Sequence, residues 1–234
     1  MLIFAPPCPK HKEPCKFIIK KILSVSYWVS ASQVRHLVLD MLELDDEPLM
    51  TSLFIEYGMS LAGSYKDYVY NVEVTYRGER LNCHVILVLD NESAIFAGRE
   101  QYGFPKVFGK AEIESQTGGR LVTANSQRPA GRTVVDCGFV PEALVDNPPA
   151  PKQWSLNLRS IQQPHPGMAA PIPELVLVYM DVHLTEVWTG KGRIDFPRRS
   201  VHSPWYELDV VRYEGSILAR DATDPLKVRG RLRF

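Results

Sequence analysis

Residues 71–89 set the tightest limit on how this chain can fold. Val72, Val74 and Tyr76 alternate with Asn71, Glu73 and Thr75. After a turn at Arg77-Gly78-Glu79-Arg80, Leu81, Cys83, Val85, Leu87 and Leu89 alternate with Asn82 and His84. A period of two on both sides of a tight turn predicts an antiparallel hairpin. The second arm closes with Val85-Ile86-Leu87-Val88-Leu89, apolar on both faces, which predicts a central strand covered on each side. The rest of the chain has to supply the two covering layers.

Most of it reads as short strands. Residues 17–27 and 49–59 are apolar strands, and more are expected at 120–124, 133–139, 154–160, 175–185 and 217–220. Eighteen prolines and 15 glycines suit turns and short strands better than long helices. Between the first two strands, Ser30 or Ser32 caps an amphipathic helix carrying Val34, Leu37, Val38, Met41 and Leu42, ended by Asp45-Asp46-Glu47-Pro48. Residues 141–152 hold four prolines and read as a surface loop, and residues 1–16 as an extended arm. The tail from Lys227 to Phe234 alternates basic with apolar or small residues: an edge strand shielded by Lys and Arg, with a nucleic-acid stripe as the alternative. A length of 234 residues suits one sizeable core, so the expectation is a single domain over 1–234. Its class is mainly β with a few helices (α+β), an antiparallel barrel-like sheet.

Twenty-seven basic and 27 acidic side chains cancel, so no overall field favours nucleic acid or an anionic membrane. No apolar run reaches the length of a membrane span, and the start, Met1 to Pro7, lacks a basic leader. A cytoplasmic protein is expected, with its four cysteines as free thiols; Cys8, His11 and Cys15 fit no zinc spacing. No phosphate-cradling loop or nucleophile elbow appears, and the six histidines are scattered, His183 being the one placed to face a cavity. No metal or organic cofactor is expected.

The chemistry is therefore sought at Lys106. Asp90-Asn91-Glu92 signals the start of a short helix over 93–102, with Ala94, Ala97, Gly98 and Gln101 as a small-residue face; Gly103 ends it and Pro105 forbids its continuation. Lys106 follows at once, where the chain turns back into the sheet. Phe104, Val107 and Phe108 flank it and Lys110 lies close by as a solvated neighbour. A lysine with an ordinary pKa is neutral in only about one molecule in 2,500 at pH 7, so a nucleophilic amine needs a site that disfavours its charge.

The run from Leu89 to Lys106 resembles the signature of the acetoacetate decarboxylase superfamily: Asp90-Asn91-Glu92, Ala94-Ile95, Gly98-Arg99-Glu100 and Phe104-Pro105-Lys106 in the family's spacing. Glu186-Val187-Trp188-Thr189-Gly190, with Arg193 beyond, resembles a later family segment, and the likeness can be followed from about Lys20 to Arg193. The resemblance implies that Lys106 forms a Schiff base with a carbonyl substrate. Counting back without gaps gives Asp67, in Tyr65-Lys66-Asp67, the family's proton-handling acidic role. Lys20 or Lys21 takes the place of an arginine that meets the substrate's carboxylate. Tyr65, Arg99, Glu100, Tyr102 and Phe104 are further candidates for substrate contact, with an Arg99–Glu100 buried ion pair that fixes the loop as the plainer alternative. Val107 stands where the family usually has a second lysine. The reading is a lyase that decarboxylates a β-keto acid. Its rivals are aldol, dehydration or cyclisation chemistry through the same imine in a natural-product pathway, or a non-catalytic barrel for an apolar ligand. Family members tend to be homo-oligomers, so one is expected here.

Overall fold

The computed structural model describes residues 16–146, 153–160, 173–198, 200 and 208–233. Strands β1 (Lys16–Trp28), β2 (Leu49–Met59), β3 (Tyr65–Tyr76) and β4 (Glu79–Leu89) form a consecutive antiparallel meander. The expected hairpin is its last pair, turning at Arg77 and Gly78. Helix α1 (Ala31–Val34) lies between β1 and β2, and α2 (Glu92–Tyr102) follows β4. Then come β5 (Lys106–Phe108), β6 (Lys110–Ser115), β7 (Val122–Gln127), β8 (Thr133–Leu144), β9 (Ser155–Arg159), β10 (Glu174–Met180), β11 (Glu186–Asp195) and β12 (Arg212–Arg233).

The pairing order runs β1-β2-β3-β4-β9-β10-β12, and β12 pairs back onto β1, from Trp28 opposite Arg212 to Lys16 opposite Pro225. This ring has one thin seam: β4 and β9 meet in parallel through Asn82–Ser155 and Cys83–Leu156. From β12 a wing of β11, β8, β7 and β6 branches away. The architecture is mainly β, barrel-like in the ring and open in the wing.

Two apolar cores follow from this. The larger joins one face of the meander (Leu23, Val25, Phe54, Tyr68, Ile86, Val88) to the wing (Ile113, Val122, Val135, Phe139). The smaller lies on the ring's other face and gathers Ile22, Ile55, Val69, Leu87 and Leu89 with Val176, Ala219 and the α2 residues Ala94 and Ile95. Strand β4 thus gives Ile86 and Val88 to one core and Leu87 and Leu89 to the other. It is covered on both faces, as its sequence requires.

Several expectations are corrected. The helix over 34–42 shrinks to α1 and one 3-10 turn at Arg35–Leu37. The Arg35 guanidinium donates to the carbonyls of Val38, Leu39 and Leu42, holding that stretch in an irregular loop, and Ser30 makes no side-chain cap. Strand β8 continues through Pro141 to Leu144, into the segment read as a loop, while 147–152 lie outside the described residues. The strand expected over 175–185 ends at Met180. Beyond it His183 is exposed and meets Thr223 through the backbone, so it does not face the cavity; its neighbours Val182 and Leu184 do. From Leu226 onward β12 pairs with β10 along one side, and no strand among the described residues pairs with its other side there. The N-terminal arm and the Cys8, His11 and Cys15 group lie outside the described residues. No helix among the described residues is long and apolar enough to cross a membrane.

Candidate active site

Helix α2 places Lys106. The Asn91 side chain accepts from the Ala94 N–H at 2.9 Å and so caps the first turn, while its amide donates to the Ala62 carbonyl. At the other end Gly103, at φ 70°, takes the left-handed conformation; its N–H reaches the Arg99 carbonyl, and the Phe104 N–H reaches that of Gly98. This left-handed αL cap, followed by Pro105, stops the helix and reverses the chain. Lys106 then opens β5, which pairs in parallel with β4, opposite Leu87.

That geometry puts Lys106 on the inner face of the ring at 8% exposure, against a cavity of about 290 Å3. Its Nζ lies 3.8 Å from Oδ2 of Asp67, which is 1% exposed. The rings of Tyr65 and Phe104 flank the amine, each centroid 5.6 Å from Nζ. Asp67 sits in β3 between Ile55 and Leu89, and its Oδ1 is buried with no hydrogen-bond partner among the described residues. Burial pushes the Asp67 carboxyl up to about 7, although the Lys106 charge pulls the other way. Burial likewise lowers the Lys106 pKa against the opposing pull of Asp67. Both dominant causes favour the uncharged forms: one proton moved from the ammonium to the carboxylate abolishes two buried charges.

The cavity has a polar end. The β3 residues facing it are Tyr65, Asp67, Val69 and Asn71, in the alternation of a strand. Asn71 lies opposite Thr51 of β2 and His84 of β4. His84 Nδ1 is 2.7 Å from Oδ1 of Asn157, whose amide nitrogen donates to the Tyr102 carbonyl. Burial first, and the Lys106 charge as well, push His84 down to about 4, against the opposing effect of its bond to Asn157. The imidazole is therefore neutral near pH 7. A smaller cavity of about 110 Å3 borders the Ala94, Ala97 and Gly98 face of α2 and also touches Lys106.

Of the residues singled out from sequence, Lys106, Asp67, Tyr65 and Phe104 converge, and Tyr102 joins them through the smaller cavity. Lys20 does not. A register irregularity between Ile18 and Lys21 gives Ile19 and Ile22 to the cavity, while Lys20 is exposed with its stem over Gly58. Arg99 and Glu100 are exposed and form no buried ion pair. Arg99 Nη1 donates to the Lys106 carbonyl at 2.9 Å, and the Glu100 carbonyl accepts from Arg159. They shape the turn around the lysine. Phe108 is 66% exposed and Val107 packs on the larger core, so Phe104 alone of the three flanking residues faces the amine. Lys110 is paired with Glu112 near the surface. Glu186 and Trp188 bond to each other on β11, outside the larger cavity. His84, Asn71 and Asn157 were missed; the sequence signal was the pair of polar residues, Asn82 and His84, on the cavity face of an apolar strand. Cys83 and Cys137 are free thiols pushed up to about 12 by burial. Among the described residues no group of three or more His, Cys, Asp or Glu is placed to hold a metal ion.

Comparison with known proteins identifies the family and the fold. The family model described as acetoacetate decarboxylase matches residues 4–228. Decarboxylase DEC1 of Cochliobolus heterostrophus is 32% identical over 224 residues, 94% of this chain and 88% of that protein. Acetoacetate decarboxylase of Burkholderia ambifaria is 27% identical over 202 residues, 85% of this chain and 80% of that protein. Among solved structures, one of an acetoacetate decarboxylase superposes with a TM-score of 0.82 at 21% identity, covering 98% of this chain and 92% of that one. The enduracididine biosynthesis enzyme MppR, complexed with a condensation product of pyruvate and imidazole 4-carboxaldehyde, superposes with a TM-score of 0.75 at 17% identity, covering 98% and 92%. The chain is a lyase, and it belongs to the acetoacetate decarboxylase family.

Proposed function

We propose that the enzyme decarboxylates a β-keto acid larger than acetoacetate through a Schiff base on Lys106, with Asp67 handling the protons. The observation that carries this is the buried pair of Lys106 and Asp67, 3.8 Å apart at the wall of a 290 Å3 cavity. The neutral amine adds to the ketone carbon to give a carbinolamine. Asp67 protonates the departing hydroxyl, water leaves, and the resulting carboxylate faces the iminium. The electrons of the bond to the carboxylate then flow into the iminium; CO2 departs and a neutral enamine remains. With the positive charge gone, the buried Asp67 takes up from bulk solvent the one proton that the overall decarboxylation consumes and passes it to the enamine carbon. Water adds to the iminium, Asp67 accepts its proton, and the carbinolamine collapses to ketone and free Lys106.

The environment favours this direction. Lys106 is the one lysine or arginine among the described residues lining the cavity, so with its amine neutral a substrate carboxylate enters without a fixed counter-ion and is relieved by leaving as neutral CO2. The volume equals roughly ten water molecules at ~30 Å3 each, more than acetoacetate fills. Val107, which packs away from the site, supplies no second cation, so desolvation carries the activation of the amine. The test is reduction with borohydride in the presence of β-keto acids of increasing chain length. A reduced adduct on the Lys106 peptide, absent in Lys106→Ala, and CO2 release that improves beyond acetoacetate are expected. An unmodified Lys106 peptide alongside turnover would sink the Schiff-base route.

A further inference from the structure

The cavity is graded along its length. At one end stand Lys106 and Asp67. Next comes an apolar band of Leu53, Val69 and Leu87, which the register aligns across β2, β3 and β4. Beyond it lies a polar row, Thr51, Asn71 and His84, again opposite one another on the same three strands. From Asp67 to Asn71 along β3 is on the order of 13 Å at ~3.3 Å per residue. A polar row inside an apolar chamber costs desolvation unless something bonds to it.

Two of its members present acceptors. The Asn71 side chain is 6% exposed, and its carboxamide oxygen is buried with no hydrogen-bond partner among the described residues. His84 has its polarity fixed from behind. The Tyr102 carbonyl takes the Asn157 amide nitrogen, which turns the Asn157 oxygen toward His84. Nδ1 must therefore carry the ring proton, and Nε2 is left as a lone pair. The T-shaped contact with the Phe104 ring, centroids 5.0 Å apart, holds the imidazole in place. No lysine or arginine lines that end among the described residues.

The geometry points to a second subsite in the chamber, where Asn71 Oδ1 and His84 Nε2 accept a hydrogen bond from an uncharged donor, a hydroxyl, carried on the substrate chain several carbons beyond the keto group. This rests on the Schiff-base reading and narrows it: the substrate class is a hydroxylated β-keto acid, not a plain fatty chain and not a β-keto diacid. With no lysine or arginine at that end among the described residues, a distal carboxylate finds no counter-charge there, and an alkyl group leaves both acceptors unpaired. Asn157 is a positioning residue, acting on the ligand through the tautomer of His84.

The experiment compares matched β-keto acids of one chain length ending in a methyl, a hydroxymethyl or a carboxylate group. kcat/KM and borohydride trapping are read for each on the wild-type protein, and binding of the corresponding ketones is read by calorimetry. The hydroxylated substrate is expected to be preferred over the methyl one roughly tenfold or more, and the diacid to be the poorest. Asn71→Leu and His84→Phe should each erase the hydroxyl preference, and Asn157→Leu should weaken it while leaving Lys106 trappable. Equal treatment of methyl and hydroxymethyl chains by the wild type, with Lys106 still trapped, overturns the subsite and leaves the Schiff base standing. Failure to trap Lys106 with any of the three overturns both. The wild-type comparison decides the matter even where a variant does not fold.

Discussion

Gly98 lies directly against the stem of Lys106: a methyl group at position 98 would stand 2.7 Å from Cδ and 2.9 Å from Cε of the lysine. The small-residue face of α2 is thus a groove that holds the Lys106 side chain. Gly98→Ala should improve the helix by up to ~1 kcal/mol, since glycine is a costly helix residue, while forcing the flexible lysine aside. The expected result is a melting temperature unchanged or raised and a kcat lowered roughly 100-fold, because displacement by about 1 Å is enough for that loss. Melting curves measured beside CO2 release check it; full activity in the variant would place the working amine elsewhere.

Gly103→Ala should behave differently. Its φ of 70° and the Arg159 backbone, 2.8 Å from where a Cβ would sit, leave no flexible group to yield. A loss of on the order of 2 kcal/mol in stability is expected, together with lost activity, because the same turn aims Lys106. Chemical denaturation would register it as a lower midpoint at unchanged slope.

Asp67 ties stability to pH with a definite sign. Its folded carboxyl keeps its proton up to about 7, whereas the unfolded chain ionises at its ordinary value of 3.8. The raised folded value means that the stability contributed by this proton is full below the unfolded pKa, falls across the window between the two, and is gone above about 7. Asp67→Asn removes the titration. The difference in melting temperature, variant minus wild type, should therefore grow from pH 4 to pH 7.5, by an amount of order 5 °C. The same variant should lose roughly 10²–10⁴ in kcat, and wild-type turnover should decline above about pH 7 as the acid form disappears. A pH-independent difference would contradict the burial of this carboxyl.

Lys106→Met replaces a buried amine with an apolar chain of similar shape. Turnover and borohydride trapping should vanish. The protein should melt at pH 6 no lower than the wild type, since a desolvated ionisable group has been removed and Asp67 stays protonated there. A large drop in stability would mean that the lysine is held as an ion pair that supports the fold.

How much of this could be read from the chain depends on how local each cause is. The α2 block was legible because Asn91, Gly103 and Pro105 act within a few residues of Lys106. The β3–β4 hairpin was legible because alternation and turn are contiguous. The helix over 34–42 was misread because Arg35 binds carbonyls farther along and outweighs the apolar periodicity. Strand β11 was overlooked because Gly190 and Gly192 interrupt its pattern; the backbone packs so closely there that a Cβ at 190 would run into the Val140 carbonyl. Lys20 was misplaced by a one-residue register shift, which sends a side chain to the opposite face. His84 acquires its meaning from Asn157, on a strand that joins β4 late in the chain, and no local pattern records that pairing.

The antiparallel seam between β1 and β12 has a consequence for how the enzyme is made. The cavity beside Lys106 is walled by Ile19 and Ile22 from one and by Ile217 and Ala219 from the other. During synthesis β1 emerges early and waits with one edge bare until residues 212–225 leave the ribosome. Such distant pairing is slow to close, and a bare edge invites other nascent chains. Activity should thus appear only after that last long strand is released, and chaperone demand should fall on the interval before it.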